Sequence, residues 1–160
     1  MSAPYDSRED TLDHIDRVRH YLNVVEREID RRGKRHDASK LVDPEKAVFD
    51  VVTPKLRGLT YGSDDYKASL AEMGVALTHH YQHNSHHPEH YPNGIDGMNM
   101  LDVIEMLCDW KAATERHADG DYGKSLNHNR ERFGISPQLF SIMVNTAKAM
   151  GFVGQEWIPA

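Results

Sequence analysis

Apolar side chains at Leu12, Ile15, Val18, Leu22, Val25 and Ile29 recur at three- and four-residue steps. That spacing lines one face of an α-helix, because successive residues turn by about 100°. Nowhere does the chain alternate apolar and polar residues with the period of two that a half-buried strand requires. It also has no internal repeat and no low-complexity segment. A chain patterned this way is expected to be all-α: a single helical-bundle domain over residues 1–160 with five or six main helices. Its motif-bearing core is expected over about 7–118, with further helices over 122–150 and an irregular tail over 151–160.

Cap and breaker residues set the expected boundaries. Residues 1–6 read as a lead, and Asp6 or Ser7 caps a first helix that Gly33 ends near Arg32. Ala38 to Val42 form one helical turn. Asp43-Pro44 opens a helix that Thr53-Pro54 breaks, and a loop with Gly58 and Gly62 follows. Ser63 or Asp64 caps a helix whose apolar face carries Leu70, Met73, Ala76 and Leu77. Asn84-Ser85 and Pro88 stop it, which leaves His86, His87, Glu89 and His90 in a loop running to Gly97. From about Asn99 to Ala118 a helix is apolar around most of its circumference, with Asp102, Glu105, Asp109 and Arg116 as its one polar row. In a buried helix such a row must line a cavity or meet partners. Asp119-Gly120 ends this segment. Helices over about 122–133 and 136–150 follow, and Phe152 and Trp157 are expected to pack back onto the body.

Histidine is the unusual entry in the composition: 11 in all, six of them between His79 and His90. A solvated surface explains such a cluster poorly. His36-Asp37 adds an imidazole and a carboxylate side by side, a pair that suits Zn, Fe, Mn or Co. On the first helix His14 falls at the edge of the apolar stripe and so faces a core, whereas His20 points away from it. His80 shares its helix stripe with Met73 and Leu77, and His83 lies one turn on. An i, i+3 pair of His80 with His83, or an i, i+4 pair of His79 with His83, can grip an ion.

The rest of the composition narrows the chemistry. Nineteen basic against 25 acidic residues give a formal charge of −6. No basic run interleaves with aromatics, so a long nucleic-acid groove is not expected. No segment approaches a membrane span and no apolar leader opens the chain, so no membrane partner is expected and the cytoplasm is the default location. The single Cys108 cannot form an intramolecular disulfide and fits a reducing compartment. Within its apolar helix it is expected to be a buried small residue. A homo-oligomer stays open.

The order His14, His36-Asp37, a His-rich segment and Asp109 resembles the HD-domain superfamily of metal-dependent phosphohydrolases, over roughly His14 to Arg116. The resemblance implies that His14, His36, Asp37 and Asp109 hold the metal. The finer pattern is similar to the HD-GYP branch: Lys40 follows the pair, His79-His80 opens a loop with Gly and Pro, and Asp109-Trp110-Lys111-Ala112-Ala113 closes the set. His79 is carried by this His-His likeness alone. No His lies between Asp37 and His79, where binuclear members place a further ligand, and Tyr91-Pro92 and Gly94 stand in a different order from a Gly-Tyr-Pro signature. In this respect the chain resembles the small HD nucleotidases that act on deoxynucleoside monophosphates with one metal. The string from His79-His80 to His86-His87-Pro88-Glu89 is also similar to one in a group of small phage and bacterial proteins with no assigned activity.

The resemblance implies a metal-dependent phosphohydrolase acting on a small phosphorylated substrate, such as a nucleotide, through a metal-activated water. One divalent ion of Mn, Fe, Co or Zn is expected, and a second is left open. Asp37 would bind the metal and orient the water, and Lys40 would meet a phosphate oxygen. His79, His80 and His83 would complete the metal site. His83, His86, His87 or Glu89 could protonate the leaving oxygen, hold a second metal, or orient the ligands. Two other classes stay open: an HD-type di-iron oxygenase, and a catalytically inactive binding module.

Overall fold

The computed structural model describes residues 5–56, 59, 63–116 and 120–159. Among them the chain is all-helical, with no strand. Among the described residues no helix is long and apolar enough to cross a membrane. Residues 1–4 of the expected lead over 1–6, Gly58, Gly62, Ala118 and Asp119 lie outside the described residues, as does the Leu70 side chain. The chain divides into two compact units, Met1–His36 and Asp37–Ala160, where the sequence reading has one domain.

The first unit is one helix, α1 (Arg8–Arg35). Glu9 and Asp10 in its first turn, with Arg32, Lys34 and Arg35 in its last, complement the helix dipole. The helix runs through Gly33 instead of stopping there. The Lys34–Asp30 pair at 2.6 Å bridges adjacent turns across that glycine, and the Arg31–Glu28 pair at 2.5 Å supports the turn before it. Taken by itself α1 buries none of its residues, and His14 is exposed on it.

The second unit carries α2 (Glu45–Leu56), α3 (Asp64–Ala71), α4 (Gly74–His83), α5 (Met100–Thr114), α6 (Tyr122–Arg132) and α7 (Pro137–Ala149). Short 3-10 turns form at Ala38–Leu41, Pro88–His90 and Gly94–Gly97. Two breaks differ from expectation. Pro54 does not end α2, because it stands in the last turn, where one missing N–H costs a single ladder bond. The helix expected from Ser63 to Asn84 divides at Gly74, whose φ of +44° is a left-handed conformation that glycine adopts without strain.

Three helix starts follow their caps. Ser7, by contrast, makes no side-chain cap bond, α2 begins at Glu45 just past Asp43-Pro44, and α5 stops at Thr114 short of the expected Ala118. Asn99 Oδ1 accepts the N–H groups of Leu101 and Asp102 at 2.9 and 3.1 Å, while Asp102 Oδ2 accepts the Asn99 N–H at 2.9 Å. This is a reciprocal capping box that starts α5. Asp121 caps α6 through the Lys124 N–H at 3.0 Å. Ser136 caps α7, with Pro137 in its first turn.

The apolar core joins α5, α6 and α7 through Val103, Met106, Leu107, Leu126, Phe140 and Met143. Burying each large side chain contributes about 1.5–3 kcal/mol. Phe152 and Trp157 of the tail pack against this core, as the sequence leads one to expect. Cys108 does not: it is exposed, because one step past the core-facing Leu107 turns it about 100° away.

Trp157 lies so close to α6 that a Cβ on Gly123 would run into its indole ring. Gly123→Ala is therefore expected to lower stability by about 1–3 kcal/mol in spite of alanine's better helix propensity. Thermal unfolding measures this. A melting temperature at or above the parent's would show that the tail does not seat on α6.

Candidate metal centre

The polar interior of the second unit begins at Asp37. Its φ of 56° is left-handed, a region that Asp visits more readily than most residues because its short side chain bonds locally. The 3-10 turn that follows returns the Lys40 N–H to the Asp37 carbonyl at 2.9 Å and the Lys40 ammonium to Asp37 Oδ2 at 2.6 Å. Lys40 also stands over the Phe49 ring, 4.9 Å from its centre. Held by one oxygen, the carboxylate turns the other toward the histidines: Oδ1 is 3.4 Å from His80 Nε2 and 3.6 Å from His86 Nε2.

His80 lies on the inner face of α4 and is 2% exposed. Its Nδ1 is 2.9 Å from Glu45 Oε2, and the second Glu45 oxygen is 2.7 Å from His79 Nδ1. Glu45, at the start of α2, is wholly buried and also accepts the Ser39 hydroxyl at 3.0 Å. Burial raises its pKa, but the hydrogen bonds from His79, Ser39 and His80 outweigh that and hold the carboxyl below its ordinary value.

His86 is equally buried, and its Nδ1 meets Glu105 Oε1 at 3.1 Å. In both His80 and His86 a carboxylate thus takes the Nδ1–H, which leaves the Nε2 lone pair pointing inward. His87 completes the group, its Nε2 2.9 Å from that of His80. Asp37, His80, His86 and His87 each offer one ligand atom, and the four atoms lie within 4.8 Å of one another. Two ligands on one tetrahedral ion at about 2.1 Å stand about 3.4 Å apart, so the observed separations of 2.9, 3.4 and 3.6 Å bracket the spacing such an ion needs. Three imidazoles and a carboxylate, with carboxylates behind two of the rings, fit a divalent transition metal.

Two of the histidines, His80 and His87, are held toward the neutral form that binds a metal. Burial, with His86 and His80 beside it, pulls His87 down to about 3. Burial and the Lys40 ammonium lower His80 more than Asp37 and Glu45 raise it. Neutral imidazoles keep their lone pairs available at neutral pH.

Of the residues singled out from the sequence, the structure brings Asp37 and His80 into the ligand group. Lys40 stands beside it through Asp37. Asp109 has a carboxylate oxygen within 4.8 Å of one on Asp37. His79 turns to Glu45 instead, and the exposed His83 stacks on it with ring centres 3.9 Å apart while its Nδ1 meets the His79 carbonyl. His14 and His36 belong to the first unit. Sequence reasoning left His86 and His87 without a chosen role and passed over Glu45. The polar row of α5 was the legible signal for Glu105: Asp102 is buried, Glu105 holds His86, and Asp109 approaches Asp37.

The chain belongs to DUF5662, a family of unknown function whose model matches residues 3–149. No curated protein matches it, and no solved structure does.

Two outcomes follow from this geometry. His86→Ala is expected to abolish retention of Zn(II), whereas His83→Ala leaves it intact; elemental analysis after gel filtration reads both. The reverse pattern would place the ion elsewhere. The second concerns protons. The folded pKa of His87 is about 3, against about 6.5 in an unfolded chain, so between these values the unfolded state binds more protons and stability rises with pH. With metal chelated, stability should fall as pH drops from about 7 to about 5, approaching about 1.4 kcal/mol per unit for each such proton. His87→Gln should flatten the slope in urea titrations, and an unchanged slope would show that His87 is not held neutral.

Proposed function

We propose that this protein is a metal-dependent phosphohydrolase that uses water to cleave a small phosphate ester, a nucleotide being the favoured class. The observation that carries the proposal is the convergence of Asp37, His80, His86 and His87 on one point within the buried polar layer. The likeness of His36-Asp37, Lys40 and Asp109 to the HD pattern supports a phosphate ester as substrate. One ion of Zn, Mn, Fe or Co suits the donors. Such an ion lowers the pKa of water from about 15.7 toward about 7 and draws charge from a phosphate oxygen.

The chain's own residues do the rest. Glu45 and Glu105 orient His80 and His86 so that their Nε2 atoms face the ligand point before it is filled. Asp37 contributes Oδ1 to that point while Lys40 holds its Oδ2. The Lys40 ammonium thus stands next to the reacting centre, where it offers a fixed positive charge to a phosphate oxygen. The burial of the histidines keeps bulk water from screening these charges.

A phosphate-release screen over deoxynucleoside and ribonucleoside monophosphates, with Mn(II), Co(II) or Zn(II) supplied, tests the proposal. Turnover is expected with at least one metal, and Asp37→Ala should lose metal and turnover together. Lys40→Ala should raise KM about 10- to 100-fold, the worth of one hydrogen bond to a charged group. A protein that holds metal but releases phosphate from none of these substrates would contradict the proposal.

A further inference from the structure

We infer that Asp102 is a positioning residue that sets metal affinity by clamping the loop that carries His86 and His87. The inference rests on the metal reading of the site.

The acid of a helix-capping box normally turns back to one backbone N–H and stays at the surface, where water serves its other lone pairs. Asp102 makes that bond, to the Asn99 N–H, yet it is wholly buried. Two side chains from outside the helix take water's place. Ser85 donates its hydroxyl to Oδ1 at 2.7 Å, and Tyr91 donates its hydroxyl to Oδ2 at 2.8 Å. Ser85 directly precedes His86, and Tyr91 closes the 3-10 turn Pro88–His90. Both ends of the segment 85–91 are therefore fastened to one carboxylate, and both ligand histidines lie between them.

Capping α5 does not require this. A surface carboxylate would cap it as well, without the cost of taking a charge out of water. What the buried arrangement adds is a fixed path for a loop that has no helical ladder of its own at His86 and His87. Further along α5, Glu105 then meets His86 Nδ1 at 3.1 Å, so one helix sets both the loop's ends and the ring's rotation. Ligands must be held to within about 0.5 Å for tight binding, and loss of such outer support typically costs about 10- to 100-fold in metal affinity.

The test compares the full-length parent with Ser85→Ala/Tyr91→Phe and with Asp102→Ala. Zn(II) affinity is read by competition with a chromogenic chelator, and ligand geometry by the visible absorption of the Co(II)-loaded protein. The Ser85/Tyr91 variant keeps Asp102 as the cap of α5, so it separates clamping from capping even if Asp102→Ala fails to fold. It is expected to keep its helical signal and one-ion stoichiometry, to bind Zn(II) about 10- to 100-fold more weakly, and to show an altered Co(II) spectrum. Affinity within twofold of the parent and an unchanged spectrum, with or without a lower melting temperature, would make Asp102 a structural residue only and overturn the inference. A parent that takes up neither metal would overturn the site reading itself, and the clamp with it.

Discussion

Glu45, His80, His86 and Asp102 are at most 2% exposed, and a polar group taken out of water to that degree must find its hydrogen bonds inside the protein. That requirement organises the second unit. Glu45 on α2 is served by His79 and His80 from α4 and by Ser39 from the turn after Asp37. Asp102 on α5 is served by Ser85 and Tyr91 from the loop. The carboxylates take the Nδ1 protons of His80 and His86, so the opposite nitrogens face one another and Asp37. The ligand point follows from how the buried charges are satisfied. Chain connectivity alone would not create it.

Most of the helical architecture was legible in the sequence because its signals are local. Stripes at three- and four-residue steps and caps at Asn99, Asp121 and Ser136 act within one or two turns, and the observed boundaries follow them. The misreadings occur where a local preference is outweighed or its position is special. Gly33 continues α1 with the Lys34–Asp30 ion pair bridging it, Pro54 is tolerated in a last turn, and Gly74 breaks a helix that its neighbours would continue. The exposure of Cys108 shows how a helix apolar on most sides still turns one small residue outward.

The site was legible in part. Asp37 stood out through the His36-Asp37 pair, and His80 through its place on an apolar stripe. His79 was carried by the His-His likeness and His83 by its spacing, yet neither places a ring nitrogen in the group formed by Asp37, His80, His86 and His87. His86 and His87 lie in a loop with no period, so no helical wheel could orient them; their direction is set by contacts to α5, far along the chain. Glu45 reads in sequence as an ordinary acid in a helix's first turn, and nothing local marks it as buried.

We propose that three imidazoles and one carboxylate of this chain bind a single transition metal. X-ray absorption of the Zn(II)-loaded protein tests it most directly. The account predicts a first shell of nitrogen and oxygen at about 2.0–2.1 Å, with the outer-shell scattering of three imidazole rings. A shell of oxygens without imidazole scattering, or a sulfur ligand from Cys108 at about 2.3 Å, would contradict it.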